Sequence, residues 1–182
     1  MIKKLFAIVS VLLIGSMLLA ACTTTPPAEP EKPAAEEPAA PKTKVCQITD
    51  TGGIDDKSFN ATAWKGITDA IDQLGIEGKY LESKEVADYE KNLNALMEEK
   101  CDLIITVGFL IGDATKAAAE ANPDLKFSIV DYNYDPAIAN VTGQIFNTDE
   151  AAFLAGYLAA GVTKTGVVGT FGGLPIPTVT IF

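Results

Sequence analysis

The stretch Asp102-Leu103-Ile104-Ile105-Thr106-Val107 decides the fold that this sequence predicts. It is rich in branched apolar residues and lacks the alternation of polar and apolar side chains that marks a strand with one solvated face. Such a run is typical of a parallel strand that is covered on both faces. Helical and extended segments alternate around it, so the sequence predicts an α/β fold with a doubly wound parallel sheet.

The predicted strands and helices follow each other in regular order. Strands are expected at residues 45–50, 79–83, 102–107, 126–131, 141–146 and 166–171. Helices are expected at residues 59–74, 88–99, 112–121 and 148–161, where apolar side chains recur at helical spacing. The last of these helices, residues 148–161, is expected to complete the first lobe of the fold.

Two helix starts have recognisable sequence signals. Ser58 is a plausible N-cap for the first helix, which Gly75 then closes. The run Asn-Thr-Asp-Glu at residues 147–150 looks like a capping box that begins the last helix.

Composition excludes several kinds of function. The 182 residues contain no His, every basic residue is Lys, and the net charge is −10. Without Arg and with an acidic balance, nucleic acid is not an expected partner. Without His, catalysis by a Ser-His-Asp triad and most zinc sites are excluded. We expect no cofactor and no metal ion.

The N-terminus looks like an export signal. Lys3 and Lys4 precede an apolar run from Leu5 to Leu19, which is shorter than the roughly 20 residues of a membrane span. Residues 18–22, Leu-Leu-Ala-Ala-Cys, resemble a bacterial lipobox. Residues 1–21 are therefore predicted to be a lipoprotein signal peptide and Cys22 the lipidated residue, which places the protein on the extracytoplasmic face of the cell membrane. An ordinary secretory peptide cut near Ala21 is the alternative.

Residues 22–42 are predicted to form a tether behind this anchor. Residues 23–42 include six Pro and no apolar residue large enough to build a core. Such Pro-rich sequences act as extended spacers. The folded domain is therefore expected to begin at residue 43.

Candidate binding residues fall where the strands end. Asp50 and Asp131 follow predicted strands, and the glycine-containing loop between Asp50 and the first helix also carries Asp55. In doubly wound sheets ligands bind at the carboxyl ends of the strands. Acidic side chains there favour a neutral ligand rich in hydrogen-bond donors, such as a nucleoside or a sugar, and Phe59 and Phe109 offer flat faces for a ring. Turn capping by Asp50 and Asp55 and core packing by the two Phe residues remain the alternative.

Several of these segments together resemble the basic membrane protein family of ABC transporter substrate-binding lipoproteins. The segments are residues 49–60, 107–109 with 113–114, 129–131, 153–157 and 166–169. The resemblance implies the type I periplasmic-binding fold, a purine nucleoside ligand and an ABC transporter permease as partner. It also implies that Asp50 hydrogen-bonds the base, Phe59 stacks on it, and Asn60 and Asp131 line the cleft.

The resemblance also sets expectations about domains. Members of that family are about twice as long as the mature part of this chain. Residues 43–165 are therefore expected to form the N-terminal ligand-binding lobe, and residues 166–182 the beginning of a second lobe. On this interpretation the chain is a truncated form, a monomer that binds a nucleoside poorly by itself.

Two other functions compete with this one. Nucleoside hydrolases have an Asp-rich strand end that binds calcium, and residues 50–56 look superficially similar. Ile48, however, stands where that motif needs another Asp, and no His is present to serve the leaving base. The third hypothesis keeps the binding fold but makes the protein a ligand sensor or surface antigen without a role in transport.

Cys46 and Cys101 lie at the amino ends of two strands that are neighbours in a doubly wound sheet. An exported compartment permits a disulfide. A Cys46–Cys101 bridge and two buried free thiols are both compatible with this placement.

Overall fold

The computed structural model describes residues 42–182. The predicted signal peptide, the predicted lipidation site Cys22 and the predicted tether up to residue 41 lie outside the described residues. Five parallel strands form a sheet in the order β2-β1-β3-β4-β5. The strands are β1 (Lys44–Ile48), β2 (Glu77–Leu81), β3 (Leu103–Val107), β4 (Lys126–Val130) and β5 (Val141–Gln144).

Helices connect most of these strands, and the predicted doubly wound α/β fold is confirmed. A single 3-10 turn, Phe109–Ile111, follows β3. The helices are α1 (Phe59–Leu74), α2 (Asp88–Glu98), α3 (Gly112–Ala121), α4 (Thr148–Val162) and α5 (Pro177–Thr180). The predicted bounds of α1 and α3 agree with the structure, and Gly75 ends α1 with φ 69°, a left-handed conformation that glycine adopts without strain.

The main core lies on one face of the sheet. Ile48, Ile104 and Ile129 project from three neighbouring strands onto α2 and α3, where Leu93 and Leu96 are buried. On the opposite face α1 covers β1 and β2 and reaches the near side of β3. Among residues 42–182, no helix packs on that face beyond β3.

The structure has Cys46 and Cys101 joined in a disulfide, with their Cα atoms 6.0 Å apart. Cys46 lies in β1, and Cys101 lies just before β3, the neighbour with which β1 pairs. Both residues are buried beside the core. The parallel pairing of the two strands is what brings two cysteines 55 residues apart into reach of each other.

Ser58 precedes the first residue of α1 as predicted, but its side chain does not cap the helix. Ser58 occupies the N-cap position but makes no side-chain capping hydrogen bond. The Asp56 carboxylate instead accepts from the backbone N–H groups of Ser58, Asn60 and Ala61 at 2.9–3.0 Å. Because Asp56 lies two residues before Ser58, its one carboxylate can accept hydrogen bonds from several free N–H groups of the first turn of α1. At α4 the Asn147 amide donates to the Glu150 carboxylate at 3.1 Å, so that helix starts as predicted without the backbone bonds of a capping box.

Two expectations about the C-terminal part were also wrong. Residues 166–171 form no strand, because they pair with none of the five strands and remain exposed. Helix α4 does not complete the core, since none of its residues is buried. Both segments have suitable local sequences, but a strand needs a neighbouring strand and an apolar helix needs a surface to pack on. Among residues 42–182, no helix combines the length and the hydropathy that crossing a membrane requires.

Candidate functional site

The predicted site residues converge on the carboxyl edge of the sheet. Asp50 follows β1, Phe109 follows β3, and Asp131 follows β4, while Phe59 opens α1 beside them. Parallel strands end at the same edge, so residues up to 81 positions apart become neighbours in one region. This is the edge at which doubly wound sheets bind ligands.

Two hydrogen bonds to Oδ1 of Asp50 fix its side chain and leave its other carboxylate oxygen, Oδ2, without a hydrogen bond from residues 42–182. Its Oδ1 accepts from the Asn60 side-chain amide at 2.7 Å and from the Gly52 N–H at 2.8 Å. Its Oδ2 accepts no hydrogen bond from residues 42–182 and lies against Gly108. A Cβ at Gly108 would stand 2.9 Å from this oxygen, and the φ of 102° also favours glycine there. The arrangement presents Oδ2 as a fixed acceptor.

Asn60 connects Asp50 to the start of α1. Its side chain is 1% exposed, and Nδ2 donates both to Asp50 and, at 3.0 Å, to Asp56. Its Oδ1 accepts from the Asp50 N–H at 3.2 Å. Both amide hydrogens are therefore engaged within the protein, and Asn60 supports Asp50 without offering a free donor to a ligand.

Asp56 carries the charge that stabilises this turn. Burial by itself raises the pKa of the Asp56 carboxyl, but hydrogen bonds from Ala61, Ser58 and Asn60 outweigh burial and lower the pKa below its usual value. Hydrogen bonds to the ionised form are the cause of such a shift. Asp56 therefore stays ionised and keeps the Asp50–Asn60 pair in place.

The pKa of Asp131 is shifted in the opposite direction to that of Asp56. Burial raises the pKa of its carboxyl, and the nearby Thr178 hydroxyl acts in the opposite direction. The residue has φ 66°, and its N–H donates to the Gln144 carbonyl at 2.8 Å. A carboxylate in a left-handed turn at a strand end, partly desolvated, is placed for a ligand or a partner that supplies hydrogen-bond donors.

Aromatic rings surround these carboxylates in two groups. Phe59, which is 42% exposed, makes an edge contact with Phe146 at a centroid distance of 5.7 Å. Phe109 lies against Tyr132 at 4.9 Å, and Tyr132 against Tyr134 at the same distance. The Tyr134 hydroxyl donates to the Gly112 carbonyl at 2.7 Å, which anchors the second group. Both groups present ring faces or edges at the carboxyl edge of the sheet.

Tyr89 lies below the Asp50 loop with an unsatisfied hydroxyl. The side chain is 1% exposed, and its oxygen has no hydrogen-bond partner of normal geometry among residues 42–182. Burial raises the pKa of the Tyr89 phenol, and the negative charge of Asp50 raises it further, while the Thr51 N–H acts in the opposite direction. The phenol therefore stays protonated and is a hydrogen-bond donor beneath the loop.

Sequence reasoning found most of this edge but not all of it. Asp55 is exposed and its carboxylate makes no hydrogen bond with the described residues. Glu82, which it missed, accepts from the Ile54 N–H at 2.8 Å and fixes the tip of the loop. Tyr132 and Phe146 were also missed, although each follows a strand and aromatic residues at such positions are a usable signal. No group of three or more acidic or Cys side chains in residues 42–182 is placed to hold a metal ion.

An open parallel sheet with fixed carboxylates and aromatic rings at its carboxyl edge is the architecture of a ligand-binding α/β lobe. Comparison with protein families makes the assignment more specific. The family model described as Bmp, ABC transporter substrate-binding protein PnrA-like, matches residues 43–182. The chain belongs to this family.

Curated relatives agree with the family assignment. The chain is 41% identical over 133 residues to basic membrane protein A of Borreliella burgdorferi, covering 72% of this chain and 39% of the relative. It is 36% identical over 143 residues to the ABC transporter nucleoside-binding protein BmpA of Lactococcus lactis, covering 76% and 40%. It is 34% identical over 178 residues to a CD4+ T-cell-stimulating antigen of Listeria innocua, covering 94% and 49%. The chain thus spans about half or less of the length of these relatives.

Solved structures show the same architecture. A solute-binding protein of an ABC transporter system from Aeropyrum pernix superimposes with a TM-score of 0.60 at 31% identity, covering 64% of this chain and 32% of that one. A lipoprotein fragment from Peptoclostridium difficile superimposes with a TM-score of 0.54 at 28% identity, covering 67% of this chain and all of that one.

Proposed function

We propose that the protein is a lipid-anchored, extracytoplasmic binding protein that presents a purine nucleoside to an ABC transporter permease. The observation that carries this proposal is the free Oδ2 of Asp50, held in place by Asn60 and Gly52. Phe59 and Phe109 flank the same edge. The Lactococcus lactis relative, whose name includes nucleoside binding, supports the ligand class.

The chemistry of the edge favours this class of ligand. A carboxylate oxygen accepts hydrogen bonds from ring N–H and exocyclic amino groups, and a flat base stacks on aromatic rings. The carboxylates of Asp50 and Asp131 repel a phosphate, which disfavours nucleotides at the same place. A neutral nucleoside satisfies both requirements, and Asp131 is assigned to its other polar groups.

The described residues supply one wall of such a site. Phe59, at this edge, remains 42% exposed. We assign the opposite wall to a second lobe, with residues 43–165 as the first lobe and 166–182 as the beginning of the second. The match covers 40% of the Lactococcus lactis relative, which supports this division.

The anchor belongs to the same proposal. Cys22 is assigned as the lipidated residue, and an uncharacterised lipoprotein of Pyrococcus abyssi, 34% identical over 142 residues, supports the assignment. Metabolic labelling with palmitate should mark the wild-type protein but not the Cys22→Ser variant. Equal labelling of both would contradict it.

The ligand proposal is tested by nuclear magnetic resonance on isotope-labelled residues 23–182. Adenosine, guanosine and inosine are titrated, with glucose as a control ligand. We expect saturable shifts confined to the amide signals near Asp50, Phe59, Phe109 and Asp131. The Asp124→Asn variant, which alters an exposed carboxylate before β4 at the other edge of the sheet, should behave as wild type. Shifts with glucose but with none of the nucleosides would indicate that the ligand is a sugar and not a nucleoside.

The same protein sample, residues 23–182, also tests the two alternative functions. Incubation with inosine and calcium releases free base only if the protein is a nucleoside hydrolase. A role as a surface antigen is supported by the name of the Listeria innocua relative. That role predicts surface exposure without nucleoside binding, which the titration also reports.

A further inference from the structure

Tyr89 is one of two side chains in residues 42–182 that bury a polar atom without a hydrogen-bond partner. It lies in the first turn of α2, is 1% exposed, and belongs to the main core. Buried hydroxyl groups of folded proteins almost always have a partner, because an unmade hydrogen bond costs the desolvation of the group. The apolar core around the ring cannot supply one, so the partner has to come from the loop above it.

Two hydrogen bonds hold the segment before α2 against the end of β1. The Thr49 N–H donates to the Leu81 carbonyl at 3.0 Å, and the Ser83 N–H donates to the Thr49 hydroxyl at 3.3 Å. Thr49 directly precedes Asp50. The start of α2, where Tyr89 is buried, is therefore fixed beneath the loop that carries Asp50.

Two groups of this loop face the Tyr89 oxygen. The Thr51 N–H is directed at it, and the Asp50 carboxylate is the charge that acts on it. Burial raises the pKa of the Tyr89 phenol and the charge of Asp50 raises it further, so the hydroxyl keeps its proton. A neutral phenol is a donor as well as an acceptor. Because the Thr51 N–H faces the acceptor lone pairs, the proton of the hydroxyl still needs an acceptor.

Asp50 has the acceptor that this proton requires. Its Oδ1 accepts from Asn60 and Gly52, whereas Oδ2 accepts from no group of residues 42–182. A carboxylate oxygen has two lone pairs, so Oδ2 can accept from a buried donor on one side and from a ligand on the other. Where two such polar groups lie beyond direct hydrogen-bond distance, one buried water completes the contact.

We propose that Tyr89 is a positioning residue of the binding site, whose hydroxyl donates to the Asp50 carboxylate through one buried water. The link holds the Asp50 loop on α2 and keeps Oδ2 in place for the ligand. Tyr89 acts through Asp50, because at 1% exposure its own side chain is not available to a ligand. The positioning role rests on the proposed function, whereas the link between Tyr89 and Asp50 does not.

The link is tested first without a ligand, by urea unfolding of the 182-residue chain with Cys22→Ser. Tyr89→Phe, Asp50→Asn and the double variant form a double-mutant cycle. The matched control replaces Tyr89→Phe by Tyr80→Phe, at a tyrosine of β2 that is 37% exposed. We expect Tyr89→Phe to raise the unfolding equilibrium constant at least about fivefold when Asp50 is present and less than about twofold with Asp50→Asn.

The control and the contrary outcomes of this cycle are specific. Tyr80→Phe should show no coupling to Asp50→Asn. Removing a buried hydroxyl that has no partner is neutral or stabilising. A Tyr89→Phe variant that is as stable as wild type would therefore overturn the link, and so would an equal loss of stability in both backgrounds.

Hydroxyl exchange gives a spectroscopic readout of the same link. In protein with tyrosine labelled at Cζ, the Tyr89 hydroxyl should exchange with solvent at least about tenfold more slowly than the Tyr80 hydroxyl. Asp50→Asn should accelerate the exchange of Tyr89 alone. A nuclear Overhauser contact from the Tyr89 hydroxyl to a long-lived water is expected. Exchange that Asp50→Asn leaves unchanged would overturn the link, and absence of the water contact would overturn the water bridge.

The positioning role is tested by titration of adenosine, guanosine and inosine. Tyr89→Phe should raise the dissociation constant at least about threefold, and Tyr80→Phe should leave it unchanged. An unchanged constant in Tyr89→Phe would overturn the positioning role even where the unfolding cycle shows the link. If the wild-type chain binds no nucleoside, the proposed function and the positioning role both fail, while the unfolding cycle still decides the link.

Discussion

The side-chain amide of Asn60 donates a 2.7 Å hydrogen bond to Oδ1 of Asp50. This contact ties the first turn of α1 to the end of β1, because Asn60 lies in the helix and Asp50 just after the strand. It leaves Oδ2 of Asp50 as the open acceptor at the carboxyl edge. The predicted ligand contact of Asp50 therefore depends on a buried residue whose two amide hydrogens are already engaged.

Asn60→Ala should lower the free energy of unfolding by about 1–3 kcal/mol, because the Asp50 and Asp56 carboxylates each lose a buried donor. Urea unfolding followed by circular dichroism measures the change. Asn94→Ala, at an exposed position in α2, is the matched control and should be neutral. A loss equal to that of the control would show that the Asn60 bonds contribute little.

In a form completed with the proposed second lobe, Phe59→Ala and Asp50→Ala should each weaken purine nucleoside binding by roughly ten- to a hundredfold. Loss of an aromatic stacking face costs about 1–3 kcal/mol, and about 1.4 kcal/mol is a factor of ten in affinity. The Asp50 effect should be larger for purine bases that donate to a carboxylate. Phe171→Ala, at a residue that is 98% exposed, is the control. Unchanged saturation curves in both variants would place the ligand elsewhere.

The 182-residue chain itself should bind a nucleoside with a dissociation constant near or above millimolar. One wall supplies about half of the contacts, and half of a typical binding free energy of about −8 kcal/mol corresponds to roughly millimolar affinity. Hydrogen bonds on the solvent side gain little over those to water. The resonance titration measures this constant. Micromolar binding would mean that residues 42–182 already enclose the ligand.

Asp131→Asn should stabilise the protein at about pH 7 and lose this advantage at about pH 3. Because the pKa of Asp131 is raised in the folded state, the fold favours the protonated form. Stability is therefore lost as pH rises above the unfolded value of 3.8 through the raised folded value. Asn mimics the neutral form and tolerates the left-handed turn. Denaturant unfolding at both pH values measures the difference.

Asp56→Asn is the opposing control for that experiment. The pKa of Asp56 is lowered in the folded state, so its contribution is present above the unfolded value of 3.8 and disappears as pH falls through the folded value. Asp56→Asn should therefore destabilise the protein at about pH 7 and lose this effect in acid. The same sign for both variants at neutral pH would contradict the assigned environments.

Reduction of the Cys46–Cys101 disulfide should lower stability by up to about 4 kcal/mol, the chain-entropy value for a loop closed over 55 residues. Mass measurement of residues 23–182 after alkylation counts free thiols before and after reduction. We expect none before and two after. Two labelled thiols without reductant would rule out the bridge.

The sequence alone determined the sheet and most of its edge. The apolar run of β3, the helical spacing in α1 and α3, and Gly75 specify local conformation through interactions between near neighbours. Asp50, Phe59, Phe109 and Asp131 were placed at one edge because parallel strands end together. These inferences needed only the order of elements.

Tertiary structure decided everything that depends on a partner far along the chain. It made the Asp56 carboxylate, not the Ser58 hydroxyl, the acceptor for N–H groups of the first turn of α1. It also turned Asn60 into a support for Asp50, because both outcomes depend on where the loop between them folds back. It also left residues 166–171 without strand pairing and α4 without a buried face. Local sequence records the preference of a segment for strand or helix. Only the folded chain shows whether another surface lies close enough to satisfy it.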